Sequence, residues 1–139
     1  MTLFAIRDGR AGDVAFIRDR WLMTDRHSIA ARDVGRGYMR IKKMQIASIL
    51  QDSRTVVTVA HVEGEEDADV GFVVARPLAA ILYFAYVRPD ARRLGLVRRM
   101  LAASGVGADI AITYTHRPQP RIELPEAWSY DPYQNAERP

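Results

Sequence analysis

Apolar and polar positions alternate from Thr2 to Arg7, which predicts a first strand. Asp13 then precedes Val14, Ile17 and Trp21 at helical spacing, so a helix capped by Asp13 is expected. The polar stretch from Thr24 to Gly37 reads as a loop, with Gly35 and Gly37 as breaks. A second helix is predicted from Tyr38 to Leu50, with Ile41, Met44 and Ile49 inward and Arg40, Lys43 and Gln51 in water. Thr55 to Val62 is rich in β-branched residues and predicts a strand. An acidic turn from Glu63 to Asp67 leads into another, Asp69 to Ala75, and Arg76-Pro77 closes it. Ile81 to Val87 is a fourth strand, Arg92 to Ser104 a helix stopped by Gly105 and Gly107, and Asp109 to Thr115 a fifth strand. The predicted order is β-α-α-β-β-β-α-β, a mixed α/β (α+β) fold with a twisted mixed sheet and helices on its faces.

One junction carries chemistry. The apolar run into Val87 meets Arg88-Pro89-Asp90-Ala91-Arg92-Arg93-Leu94-Gly95, and the basic amphipathic segment from Leu96 follows. A strand that feeds a tight glycine turn into a helix leaves backbone N–H groups without intrahelical acceptors. With arginines beside them, those groups form an anion site. Without that context, Leu94, Leu96, Val97, Met100 and Leu101 would read as one face of an ordinary core helix.

Val87, Pro89, Arg92 and Gly95 stand where V-x-P-x-x-R/Q-x-x-G-x-G/A requires them. That pattern is the coenzyme A pyrophosphate loop of the GNAT (GCN5-related N-acetyltransferase) superfamily, which the chain resembles from about Thr2 to Thr115. Two positions depart from it: Val97 replaces the final small residue, and Arg93 stands where glycine is frequent. A β-branched side chain takes space near the phosphates, whereas an added arginine supplies charge. The family's last arm, a helix and hairpin, has no counterpart. Prolines at 118, 120, 125 and 132 exclude a long helix there. The domain is therefore expected over residues 1–117, with residues 118–139 as an extended proline- and aromatic-rich tail. This truncated form resembles short GNAT-like proteins of tailed bacteriophages. The residues carrying that likeness are Phe84-Ala85-Tyr86-Val87, Thr115-His116-Arg117 and Tyr130-Asp131-Pro132-Tyr133.

The resemblance implies a site and a reaction. Acetyl coenzyme A would lie in a cleft between the Ile81 to Val87 and Asp109 to Thr115 strands. Backbone groups of Ala85, Tyr86 and Val87 would pair with its pantetheine arm. Arg92, Arg93, Leu94, Gly95, Leu96 and Val97 would take the pyrophosphate. Tyr114 and His116 are the candidate proton-transfer residues, with Tyr83, Tyr130 and Tyr133 as neighbours. Trp21, Asp25, Arg26 and His27 would fall where the family recognises its acceptor, a small-molecule or protein amine. For Tyr83, Tyr114 and Trp21 the plainer role is packing, and for His116 a turn.

Composition narrows the field further. At 139 residues the chain is one domain with enough length for a core. Twenty basic residues against seventeen acidic ones leave a net charge of only +3, so nucleic acid is not an expected partner. The longest apolar stretch, Leu78 to Val87, is too short to span a membrane. The N-terminus lacks the basic and small-residue marks of a secretion signal, so a cytoplasmic protein, or one within a phage particle, is expected. No cysteine is present, which excludes disulfides and thiolate chemistry, and His27, His61 and His116 lack metal-ligand spacing. Neither a G-x-S-x-G elbow nor a Walker loop occurs.

Two functions fit these features. One is an acetyl-coenzyme-A-dependent N-acetyltransferase. The other is an inactive GNAT-like structural module that has lost the cofactor, a phage virion component for example, with protein partners or further copies bound through the tail.

Overall fold

The computed structural model describes residues 3–26, 36–106, 112–115 and 128–130. Its elements run β1 (Phe4–Asp8), α1 (Val14–Arg26), α2 (Arg36–Gln51), β2 (Val56–Val62), β3 (Glu65–Arg76), β4 (Ile81–Val87), α3 (Leu96–Ala103), β5 (Thr113–Tyr114) and β6 (Ser129–Tyr130). The mixed α/β architecture expected from the pattern is present. The chain divides into two compact units, Met1–Gly9 with Arg54–Pro139, and Arg10–Ser53.

The first unit holds one six-stranded sheet in the order β1-β2-β3-β4-β5-β6. The first four strands pair antiparallel, whereas β4 to β5 and β5 to β6 are parallel. All seven residues of β4 are buried, which explains why its sequence is continuously apolar instead of alternating. Val73, Ala75, Leu82, Ala85 and Val87 form a core with Leu96, Val97, Met100 and Leu101 of α3. Phe72 lies against Phe84 and Tyr86, each ring pair 5.7 Å apart. Gly71 allows the close approach of β3 and β4: a Cβ there would sit 2.6 Å from the Tyr86 carbonyl oxygen and 3.3 Å from Met100 Cε.

β3 begins at Glu65, four residues before the predicted start, and the turn is confined to Glu63-Gly64. Arg7 tethers the acidic extension from β1. Its Nη2 meets Asp69 Oδ1 at 2.9 Å, and its Nε donates to the Glu66 carbonyl at 3.3 Å. The predicted Arg92 start of α3 is corrected to Leu96. Pro89–Ala91 form a 3-10 turn, Arg92 is extended, and Arg93 and Gly95 have positive φ, so no α-helix can pass through them. β5 is seen only at Thr113–Tyr114, and the rest of the predicted strand falls largely outside the described residues. Ser129–Tyr130, inside the segment expected as a tail, forms β6 beside β5.

The second unit contains α1 and α2. The expected Asp13 cap of α1 is corrected: Asp13 is the last residue of a 3-10 turn that leads into α1, and its Oδ2 accepts the N–H of Arg10, the cap of that turn, at 2.7 Å. Ile17 and Trp21 are fully buried, while Val14 is exposed. Both helices run into the stretch predicted as the Thr24 to Gly37 loop, to Arg26 and from Arg36. The α2 face differs from expectation. Ile49 is buried as predicted, but its inward companions are Lys42 and Ile46, whereas Ile41 and Met44 are exposed. Residues 42, 46 and 49 follow the i, i+4, i+7 pattern, and apolar residues also occupy the opposite side.

Candidate functional site

The parallel ladder between β4 and β5 is two residues long, Ile81 with Thr113 and Leu82 with Tyr114. β4 then continues to Val87, and among the described residues no strand covers that edge. The register with β3 changes there: Val74 opposes Phe84 but Ala75 opposes Leu82, so Tyr83 is an extra residue in β4. Such a bulge re-aims backbone groups. Here the Leu82 and Tyr83 carbonyls both face Thr115, accepting its N–H and its hydroxyl at 3.0 Å each.

Backbone direction beyond the bulge follows from one bond. Arg88 donates its N–H to the Val70 carbonyl at 2.7 Å, toward β3. Successive residues of a strand address alternate edges, so Tyr86 also faces β3, while Ala85 and Val87 face the opposite edge, the one on which β5 pairs with Ile81 and Leu82. On that side the Val87 carbonyl accepts Arg92 Nε at 2.8 Å. The guanidinium centre of Arg92 also lies 6.0 Å from the Tyr86 ring centroid. Arg92 is thus fixed across the end of β4.

The turn after Arg92 is built for backbone N–H groups. Arg93 has φ 66° and Gly95 φ 73°, and Gly95 is the N-cap of α3 with no side-chain cap. Leu96, Val97 and Arg98 therefore begin a helix with N–H groups that have no acceptor inside it. Left-handed residues in a turn curl such groups into a concave anion nest. A hollow of about 100 Å³ lies at this place, with Arg92, Arg93, Gly95, Val97 and Arg98 in its wall. That volume suits a phosphoryl-sized group, whereas whole small-molecule ligands occupy roughly 300–1,000 Å³. Arg93 and Arg98, both in its wall, are exposed. Arg88 is 3.5 Å from Asp90, the acidic residue of the loop.

Of the residues singled out from sequence, Val87, Arg92, Arg93, Gly95, Leu96 and Val97 share this hollow, with Tyr86 touching it through Arg92. Leu94 is turned outward. Val97 is only 5% exposed and packs with the core residues as well as lining the hollow. Tyr114 is half-buried, its ring 5.3 Å from that of Tyr130. Tyr83 is buried with the Arg76 guanidinium 5.4 Å from its ring centroid. His116, Tyr133, His27, and the side chains of Asp25 and Arg26 lie outside the described residues. Arg98 was missed, although its place three residues after Gly95 is an N-terminal helical position. Trp128 was missed as well. It is buried in the core, and its indole N–H has no hydrogen-bond partner. Among the described residues, no group of three His, Asp or Glu could hold a metal, and no helix is long and apolar enough to cross a membrane.

No protein-family model matches the sequence, and neither does any curated protein. Solved structures do match. Apo YjaB from Escherichia coli is 19% identical with a TM-score of 0.50, over 73% of this chain and 64% of YjaB. The chain thus spans less than two thirds of YjaB, and at that identity the likeness is one of fold. The aminoglycoside N-acetyltransferase AAC(6')-Iy in complex with CoA aligns over 94% of this chain and 78% of its own, with 16% identity and a TM-score of 0.49. A ribosomal-protein-alanine N-acetyltransferase from Brucella melitensis biovar Abortus 2308 aligns over 97% and 87%, with 14% identity and a TM-score of 0.45.

Proposed function

We propose that the chain is an N-acetyltransferase of the GNAT type, which transfers an acetyl group from acetyl coenzyme A to an amine of a small molecule or protein. The observation that carries this reading is the edge of β4 beyond Tyr83, which no described strand pairs with, directly ahead of the glycine nest at α3. Its donor set suits the coenzyme. The N–H groups of Leu96 to Arg98 and the guanidinium groups of Arg93 and Arg98 offer only donors, which fits an anionic pyrophosphate.

The bound coenzyme supplies the thioester whose acetyl group is transferred. The protein's part is positioning and charge. Ala85 and Val87 carry the backbone groups on this side of β4, which would hold an extended arm in register and polarise a carbonyl. The loop arginines and helix N–H groups neutralise phosphate charge. Tyr114, at the end of β5, supplies a proton to the departing thiolate. His116 receives one from the amine, directly or through water. A cytoplasmic setting accompanies this reading.

The test is calorimetry and thermal shift with acetyl coenzyme A. Binding at a hundredfold excess over the dissociation constant should stabilise the fold by about 2.7 kcal/mol. Gly95→Glu should abolish that effect, because a carboxylate at φ 73° is strained and repels phosphate.

A second reading has one observation in its favour: Arg92, the leading arginine of the loop, is committed to the Val87 carbonyl. In that reading the fold is an inactive structural module, as in a phage particle. A wild-type protein with no response to acetyl coenzyme A or coenzyme A would favour it.

A further inference from the structure

In an unbroken ladder the carbonyls of adjacent residues point to opposite edges of their strand. β4 breaks that rule at its bulge, where the Leu82 and Tyr83 carbonyls both turn toward β5 and both are taken by Thr115. The Thr115 N–H donates to the Leu82 carbonyl and the Thr115 hydroxyl to the Tyr83 carbonyl, each at 3.0 Å. The first bond is ordinary backbone pairing, open to any residue but proline. The second belongs to the side chain. Thr115 is 2% exposed, and valine has the same branched shape without the oxygen, so packing alone does not call for threonine here.

We propose that Thr115 is a positioning residue, whose hydroxyl locks the Tyr83 peptide toward β5 and so fixes which backbone groups β4 offers beyond the bulge. The consequence reaches along the strand because its period is two. With the Tyr83 carbonyl held on the β5 side, alternation carries Ala85 and Val87 to that side and Tyr86 to β3. The bond from the Arg88 N–H to the Val70 carbonyl holds the same phase at the far end.

The edge is closed beyond this stretch, since Arg92 Nε occupies the Val87 carbonyl at 2.8 Å. Thr115 and Arg92 thus bracket the Ala85 N–H, the Ala85 carbonyl and the Val87 N–H. Donor, acceptor, donor is the complement of an extended arm that offers a carbonyl, an amide N–H and a second carbonyl. For that ligand the proposal rests on the acetyltransferase reading. The pin itself does not.

The test pairs Thr115→Val, which removes the hydroxyl, with Thr115→Ser, which keeps it. In the ligand-free full chain, Thr115→Val should shift the amide resonances of Phe84 to Val87 and quicken exchange at Tyr86, because a buried carbonyl without its donor seeks another partner. Thr115→Ser should restore the wild-type spectrum. Acetyl coenzyme A should bind Thr115→Val about tenfold more weakly. Adenosine 3′-phosphate 5′-diphosphate, the coenzyme without its arm, should bind all three proteins alike. A hydroxyl that only stabilised the fold would affect both ligands equally. Thr115→Ala serves in place of Thr115→Val should that variant lose its circular-dichroism signal. Unmoved β4 amides overturn the proposal, as does a serine that restores nothing or an equal loss for the two ligands. A wild type that ignores acetyl coenzyme A, while its β4 amides follow the hydroxyl, sinks the acetyltransferase reading and leaves Thr115 as the residue that sets this edge.

Discussion

Two residues of the loop are in competition between stability and binding, and both can be tested singly. Arg93 holds φ 66°, a conformation that costs an ordinary side chain roughly 1–2 kcal/mol and glycine almost nothing. Arg93→Gly should therefore raise the melting temperature, by an amount equivalent to about 1 kcal/mol. The same change removes a guanidinium from the hollow, so affinity for coenzyme A should fall, and more steeply at low salt. Equal or tighter binding would remove Arg93 from the site. Val97 departs from the sequence pattern in the other direction. Its side chain is in the core, so Val97→Ala should cost about 1–2 kcal/mol and leave coenzyme affinity unchanged. Chemical denaturation and calorimetry on one pair of proteins decide it. Tighter binding without loss of stability would mean that the valine does crowd the loop. The sequence disclosed the identity of both departures, but not their geometry, because neither a φ angle nor a rotamer leaves a mark in spacing.

At the scale of elements, legibility followed the strength of local punctuation. β4, Pro89 and Gly95 were legible because an apolar run, a fixed φ and a residue tolerant of positive φ each act on their own neighbours. α3 was placed four residues early, since two positive-φ residues in a row of good helix formers resemble helix until the backbone is seen. α2 was recognised, but its inward face was not. With residues 41, 44, 46, 49 and 50 all apolar, periodicity permits two answers and only tertiary packing chooses. Substitution separates them directly. Ile46→Ala should cost about 2–5 kcal/mol, whereas Ile41→Ala should stay within about 0.5 kcal/mol. Comparable losses at both positions would contradict the burial pattern. β6 had no local signal at all: two residues in a proline-rich segment pair with β5 through a non-local parallel contact.

Across the whole sheet, pairing is uneven, and the unevenness is where function is proposed. β2, β3 and β4 share long antiparallel ladders, while among the described residues β5 and β6 contribute two residues each. The outer edge at β1 is partly occupied by side chains, with Arg99 Nη1 donating to the Phe4 carbonyl at 3.2 Å and Arg7 Nη1 to that of Asp8 at 2.9 Å. Such arginines discourage edge-to-edge pairing with other chains. The inner edge of β4 past Tyr83 is different, for among the described residues no strand pairs with it. Amide exchange should report this division. Amides of β4 that face β3, such as Tyr86, should exchange only through large openings, and those of Ala85 and Val87 through small local ones. Acetyl coenzyme A should then slow exchange at 85–87 and at 93–98 together, since one extended ligand would span both. Protection at the loop without β4 would mean that only a phosphate group is held there. Protection at neither would leave this edge of β4 as architecture and remove the basis for acetyl transfer.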